Sequence, residues 1–166
     1  MYIDTRPFDV IVLKKPKTFN LLSSIVSWRS LSNYTHCVLT YDNKFNIYDA
    51  DFDGLKKQSL DEYRGRQGTV CRVKKQYHAY QVSDAMQKWL EEAHRRSKGY
   101  DYLSMLGFAT GIKSFNDKDK YYCSELIYRC FMDHGFQLTN RPLTFVYPSF
   151  FVDNAGNFDI VYDGVI

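Results

Sequence analysis

The chain has 166 residues, the usual size of one compact domain, so we expect a single domain spanning residues 1–166. Hydrophobic residues make up 45% of the chain and charged residues 25%, a composition typical of globular rather than disordered proteins. The net charge of +3 is small and the basic pairs are scattered, which argues against a nucleic-acid-binding surface.

Membrane-spanning and metal-binding proteins are also disfavoured. No stretch approaches about 18 unbroken apolar residues, so we expect no integral membrane segment. Residues 1–9 carry three charges and do not have the pattern of a secretory signal. We therefore expect a cytoplasmic protein, or one of the host cytoplasm or virion if phage-encoded. Zinc-finger and dense disulfide spacings are absent among the four cysteines, so we expect free thiols at Cys37, Cys71, Cys123 and Cys130.

The first half of the chain predicts strands with one helix among them. Residues 8–13 are an apolar run typical of a strand, and residues 20–28 carry a short helical stripe. Residues 35–41 and 45–50 are two strand-like runs separated by a polar turn, which is the pattern of a hairpin. Residues 69–74 predict a further strand.

The second half predicts mainly helices. Apolar residues recur at helical spacing from Val82 to Ala93, with charged residues between them, which indicates an amphipathic helix. A short helix is predicted over residues 101–108, followed by a polar loop over residues 113–120. Residues 123–134 predict another amphipathic helix, with Gly135 as its C-terminal stop.

A last strand is predicted over residues 158–162. Strands then cluster early and at the end of the chain, while helices lie mostly between them. This order predicts an α+β fold in which a mostly antiparallel sheet, or half-barrel, packs against helices.

Cys123 is the candidate nucleophile. It lies where a polar loop changes to an amphipathic helix, so we expect it in the first helical turn. A helix N-terminus and a neighbouring imidazolium both favour the thiolate, which is the reactive form of cysteine. A cysteine considered by itself is more often buried and inert, and we interpret Cys37 and Cys130 in that way.

His36 is the candidate base, because it begins the first strand of the hairpin and an acid on the second strand could orient it. An even loop, such as residues 42–43 alone, would place His36 directly across from Asp49. An odd loop would pair it with Tyr48 or Ala50. The even register would complete the base-plus-orienter arrangement of a catalytic triad.

Other candidates are weaker. Asp51 and Asp53 lie near Asp49 and are alternative acids. Three further histidines have simpler interpretations, as a helix-border residue, a helix C-terminal cation and a loop residue: His94, His134 and His78.

The run Tyr122-Cys123-Ser124-Glu125-Leu126-Ile127 resembles the nucleophile helix of the NlpC-type, papain-like hydrolases. More narrowly, it resembles their circularly permuted, YiiX-like branch, in which the histidine strand precedes the cysteine helix. Residues 8–13, 33–38, 46–50 and 99–102 are similar to further strings of that branch, in the same order.

The resemblance implies a papain-like fold with a catalytic Cys123, a base His36 and an orienting acid Asp49. The family's acid is usually Glu, and the shorter Asp keeps Asp51 as an alternative.

The implied reaction is hydrolysis of an amide bond, peptide or isopeptide, through an acyl-enzyme. This acyl-transfer chemistry needs no metal and no cofactor, and we expect neither. The expected partners are a peptide, a peptidoglycan fragment or an acyl-lipid. Two alternatives remain: a lipid acyltransferase or thioesterase on the same fold, and a non-catalytic binding or phage structural module.

Overall fold

The computed structural model describes residues 3–16, 21–51, 54–74, 80–97, 121–139 and 146–166. These ranges contain the strands β1 (Val10–Lys14), β2 (Tyr34–Thr40), β3 (Asn46–Asp51), β4 (Gly54–Ser59), β5 (Gln67–Val73) and β6 (Phe158–Val165). They also contain the helices α1 (Leu21–Ser30), α2 (Tyr80–Arg96), α3 (Cys123–Met132) and α4 (Ser149–Asp153), and a 3-10 helix (Leu60–Tyr63).

The six strands form one sheet in the order β4-β3-β2-β1-β5-β6. Every neighbouring pair is antiparallel. The predicted α+β class with an antiparallel sheet is therefore confirmed. His36 lies on β2, which is one of the two central strands of this sheet. The other central strand is β1, with which β2 pairs.

The two faces of the sheet have separate apolar cores, because alternate strand residues point to opposite faces. On one face, Val12, Cys37 and Leu39 pack with the inner sides of α2, α3 and α4. On the other face, Leu13 and Val38 belong to a smaller core closed by the 3-10 helix and the chain termini. His36 and Asp49 alternate onto the side of the smaller core.

Helix α3 is held against the sheet by an apolar stripe. Leu126, Ile127 and Phe131 are almost fully buried, at the helical spacing that the sequence predicts. The helix ends at Met132, two residues before the predicted end. Gly135 has a φ of 86°, and the Phe136 N–H donates to the Phe131 carbonyl at 3.0 Å, which closes the last turn.

Three elements were not predicted: β4, the 3-10 helix and α4. Strand β4 is an edge strand in which Lys56 and Lys57 replace the apolar alternation that marks a half-buried strand. Helix α4 has only five residues, too few for a helical stripe. The helix predicted over residues 101–108 and the loop predicted over residues 113–120 lie outside the described residues.

Within the described ranges, no helix is both long enough and apolar enough to cross a membrane.

Candidate active site

The loop between β2 and β3 determines where the candidate acid lies. The Tyr41 N–H donates to the Asn46 carbonyl at 3.1 Å, which closes a loop over residues 42–45. Asp42 stabilises this loop, because its Oδ1 accepts the backbone N–H of Lys44 at 2.8 Å and of Asn46 at 3.1 Å. Asp side chains commonly stabilise turns by accepting hydrogen bonds from the backbone N–H groups that follow them. The turn chemistry of Asp42 thus sets the hairpin register.

That register pairs Leu39 with Tyr48. Continued by one residue, this register would set Val38 opposite Asp49, so it places His36 diagonal to Asp49 on the same face of the sheet. The loop length is even, but the prediction that His36 lies directly across from Asp49 is wrong. The loop is two residues longer than the shortest even loop, which moves the pairing by two positions.

His36 and Asp49 are nevertheless hydrogen-bonded. The Nε2 atom of His36 lies 2.8 Å from Oδ1 of Asp49. The Asp49 side chain is completely buried, and the His36 side chain is 16% exposed. The alternative acid, Asp51, lies at the end of β3 opposite Gly54. Asp49 is thus the acid that contacts the imidazole.

The second oxygen of Asp49 is held by two donors from outside the hairpin. The Nε2 group of Gln58 on β4 donates to Oδ2 at 2.7 Å. The hydroxyl of Tyr63, at the end of the 3-10 helix, donates to the same oxygen. That hydroxyl also lies 3.0 Å from His36 Nε2. Both oxygens of this buried carboxylate are therefore hydrogen-bonded, as a buried charge requires.

Cys123 is the first residue of α3, as the sequence predicts, and is 7% exposed. The N-cap residue, Tyr122, makes no side-chain capping hydrogen bond. The first N–H groups of the helix and its dipole therefore favour negative charge at this position. His36, through its charge and its ring, and Cys37, through its thiol and its backbone, are the neighbours that act on the charge state of the Cys123 sulfur.

The Cys37 backbone bond follows from where the strand pairing ends. The Thr40 N–H donates to Asp9 on the β1 side, and the Tyr41 N–H donates to Asn46 on the β3 side. Alternation therefore directs the Cys37 N–H toward β3 as well. The β2–β3 pairs are Leu39 with Tyr48 and Thr40 with Ile47, so the ladder stops short of Cys37. The Cys37 N–H can therefore donate to the Cys123 sulfur, which lowers the pKa of Cys123.

The surroundings of Cys123 favour its thiolate. The hydrogen bond from the Cys37 thiol lowers the pKa of Cys123, burial opposes this, and the charge and hydrogen bond of His36 lower it further. The net result is a Cys123 pKa well below the usual range of a thiol. Burial and the hydrogen bond to Cys123 raise the pKa of Cys37, so Cys37 remains a neutral donor.

The imidazole is correspondingly held in its charged form. Burial lowers the pKa of His36, but the charges of Asp49 and of the Cys123 thiolate outweigh burial and raise it to about 10. Burial also disfavours the Asp49 carboxylate. The His36 charge and the hydrogen bonds from His36 and Tyr63 nevertheless keep the pKa of Asp49 below its usual range. The three groups form a buried row of thiolate, imidazolium and carboxylate.

The remaining sequence candidates do not join this row. Cys130 is fully buried in the α3 core, as predicted. The Nδ1 atom of His134 lies 2.7 Å from the Cys130 carbonyl, in the C-terminal position expected for it. His94 lies on the half-buried border of α2. His78, Asp53 and the 99–102 motif lie outside the described residues.

Three residues of the site were missed or misread: Cys37, Gln58 and Tyr63. Cys37 is a core residue, as predicted, but its thiol is also the largest influence on the pKa of the nucleophile. Its position next to His36 in the sequence was the only available signal. Gln58 reaches Asp49 from β4 and Tyr63 reaches it from the 3-10 helix, and no sequence spacing indicates these contacts.

Among the residues that the structure describes, no cluster of His, Cys, Asp or Glu side chains has the arrangement of a metal site. Neither a family model nor a curated protein sequence matches the chain significantly.

Proposed function

We propose that the protein is a thiol-dependent hydrolase that cleaves an amide bond, with Cys123 as nucleophile, His36 as acid and base, and Asp49 as orienting acid. The observation that carries the proposal is the placement of His36, whose Nε2 lies 2.8 Å from the buried Asp49 carboxylate and whose charge acts on the Cys123 thiol at the start of α3. We further propose that the fold is a circularly permuted, NlpC-type papain-like fold. The strand–helix order and the α3 sequence support this assignment.

The nitrogen usage of His36 suits this chemistry. Its Nε2 atom faces Asp49 and Tyr63, so Nδ1 is the ring nitrogen left to face the sulfur. A histidine fixed in this way can transfer a proton at Nδ1 while the acid stabilises the positive ring. This is the division of labour expected of a catalytic triad.

The reaction would proceed in two steps. The Cys123 thiolate attacks the carbonyl carbon, and the C–N bond then breaks as the leaving amine takes the proton of His36. Water next gives its proton to His36 and attacks the thioester, which breaks the C–S bond and restores the thiolate. The N–H groups at the start of α3 can stabilise the developing oxyanion.

We propose peptide amides as the substrate class, including peptides of the peptidoglycan type. The similarity of the α3 sequence to NlpC-type enzymes supports this choice. Two alternatives remain open to test: an acyltransferase or thioesterase acting on acyl-lipids, and a non-catalytic module that retains the site.

The first experiment measures acylation of the thiol with p-nitrophenyl acetate. We expect a burst of p-nitrophenolate and a mass increase of one acetyl group on the peptide that contains Cys123. Cys123→Ala should lose both signals. Cys130→Ala is the matched control, since Cys130 is a buried thiol on the same helix, and it should keep both signals.

The second experiment identifies the acyl donor among three probes: a D-glutamyl peptide amide, a palmitoyl thioester and phosphatidylcholine vesicles. Turnover of the peptide amide that Cys123→Ala abolishes supports the proposal. Turnover of the lipid probes alone would replace it with the acyltransferase or thioesterase. Absence of the acetyl burst in the folded wild-type protein would replace it with a non-catalytic module.

A further inference from the structure

We propose that Tyr63 is a positioning residue of this site, whose hydroxyl holds the Asp49 carboxylate in the orientation from which Asp49 bonds His36. The inference rests on the proposed function, because it assigns a role toward the same thiol, imidazole and acid. Tyr63 acts through Asp49 and His36 rather than on a reacting atom.

The contacts of the Tyr63 hydroxyl carry the argument. It donates its proton to Asp49 Oδ2, and its oxygen lies 3.0 Å from His36 Nε2. The Nε2 group of His36 is bonded to Asp49 Oδ1 at 2.8 Å. The side chains of Tyr63, His36 and Asp49 therefore each contact the other two. A carboxylate held at both oxygens cannot rotate away from the imidazole without losing a hydrogen bond to a buried charge.

Tyr63 is itself fixed from two sides. Its 3-10 helix is anchored by the buried Leu60, whose N–H donates to the Phe45 carbonyl at 2.7 Å. On its other side, the Arg66 guanidinium lies 5.3 Å from the centre of the Tyr63 ring. That guanidinium donates to the Lys14 carbonyl at 2.9 and 3.2 Å. The ring therefore lies between the hairpin loop and a cation anchored on β1.

The charges around Tyr63 keep its proton in place. Burial raises the pKa of Tyr63, and the Asp49 charge and hydrogen bond and the Asp51 charge raise it further, while Arg66 opposes them. The hydroxyl therefore remains a donor at every pH at which the site would work. Among the described residues, the His36 ring also faces the Tyr63 ring, with 5.6 Å between their centres.

Gln58 does not make Tyr63 redundant. Its amide donates to the same Asp49 oxygen at 2.7 Å, but it makes no contact with His36 Nε2 among the described hydrogen bonds. Tyr63 is the residue that contacts both members of the pair. We therefore expect a partial loss on removing its hydroxyl, because Gln58 continues to hold the carboxylate.

The test is the pH dependence of Cys123 alkylation by iodoacetamide in Tyr63→Phe, which needs no substrate. Loss of the hydroxyl should weaken the Asp49–His36 pair and thereby the thiolate. We expect alkylation of Cys123 near the acid limb to slow about three- to tenfold, the range of one net hydrogen bond, and that limb to move to higher pH. Tyr34→Phe is the matched control, since it removes a hydroxyl bonded at 2.7 Å to Thr69 on the same sheet. It should leave the profile unchanged.

A double-mutant cycle with Asp49→Asn separates positioning from a structural role. If Tyr63 acts through Asp49, the Tyr63→Phe/Asp49→Asn double variant should have the alkylation profile of Asp49→Asn alone. A lower melting temperature for Tyr63→Phe with a wild-type profile, or fully additive effects in the cycle, would overturn the inference. Failure of the acetyl burst with a profile shift in Tyr63→Phe would overturn the proposed hydrolase and leave the positioning role standing.

Discussion

The two sides of His36 are built in different ways. On the Nε2 side, a buried carboxylate is held by polar donors from β2, β4 and the 3-10 helix, each with its own hydrogen bond. On the sulfur side, Cys123 stands at the start of a helix that is held by apolar packing. One neutral thiol, Cys37, acts as a donor there.

This difference indicates what each side depends on. Hydrogen bonds to a buried charge are directional, so the acid side depends on the exact donors present. Helix packing is not directional, so the sulfur side depends on the fit of α3 against the sheet. Substitutions on the acid side should therefore alter the chemistry first, whereas substitutions on the helix side should alter stability first.

The largest expected effect is on the acid side. Asp49→Asn keeps the shape of the side chain but removes the charge that favours the imidazolium. We expect kcat/KM to fall about 10²- to 10⁴-fold, the usual contribution of acid–base catalysis. Asp51→Asn is the control, because Asp51 lies at the end of β3 and does not hold the imidazole. Equal losses in both variants would contradict the assignment of Asp49.

The second effect compares Cys123 with the other thiols. At pH 6.5, iodoacetamide should label Cys123 at least about 100-fold faster than Cys37, Cys71 or Cys130. The reason is that the pKa of Cys123 is lowered, while burial raises the pKa of Cys71 to about 12 and those of Cys37 and Cys130 well above normal. Mass spectrometry of the labelled peptides measures the rates. In urea, where the fold is lost, the four rates should converge.

The shifted pKa values of His36 and Cys123 predict the pH range over which Cys123 stays a thiolate paired with the imidazolium. The folded pKa of His36 is raised to about 10, so the stability it contributes is complete below its ordinary value of 6.5 and is lost as pH rises through about 10. The lowered pKa of Cys123 gives the opposite sign, with the thiolate lost as pH falls through that pKa. Alkylation of Cys123 should therefore be flat between these limits. A single rise in the alkylation rate near pH 9, the ordinary pKa of a thiol, would show that Cys123 is not paired with His36.

The third effect is on the helix side. Leu126 is 1% exposed in the core beneath α3. Leu126→Ala should lower the free energy of unfolding by about 2–5 kcal/mol, because it leaves a cavity in a packed core. Urea denaturation followed by circular dichroism measures the loss. The Cys123 alkylation profile should stay near that of the wild type while the protein is folded; a shifted profile would show that packing alone sets the thiolate.

The smallest effect comes from the donor beside the sulfur. Cys37→Ala removes the thiol hydrogen bond but keeps the backbone N–H, so we expect Cys123 alkylation near its acid limb to slow about three- to tenfold. Cys37→Ser restores a donor and should restore most of the rate. Equal slowing in both variants would mean that Cys37 matters through its volume and not through its hydrogen bond.

Much of the fold could be predicted from local patterns, and the failures have physical reasons. The α3 stripe and the hairpin are apolar periodicities, which depend on neighbours in the sequence. Strand β4 escaped prediction because an edge strand with Lys56 and Lys57 has no apolar alternation. The expected hairpin register was wrong by two residues, because the backbone N–H groups of Lys44 and Asn46 donate to the Asp42 carboxylate and so favour a four-residue loop.

Sequence patterns alone predict that Cys123 begins an amphipathic helix and that His36 lies on the first strand of a hairpin whose second strand carries Asp49. Both follow from short-range periods. Only the tertiary structure decided that Asp49 and not Asp51 contacts the imidazole, and that Cys37, Gln58 and Tyr63 complete the surroundings. Those contacts depend on the hairpin register, on where the pairing of β2 with β3 stops, and on where α3 begins. No residue spacing in the sequence gives these positions.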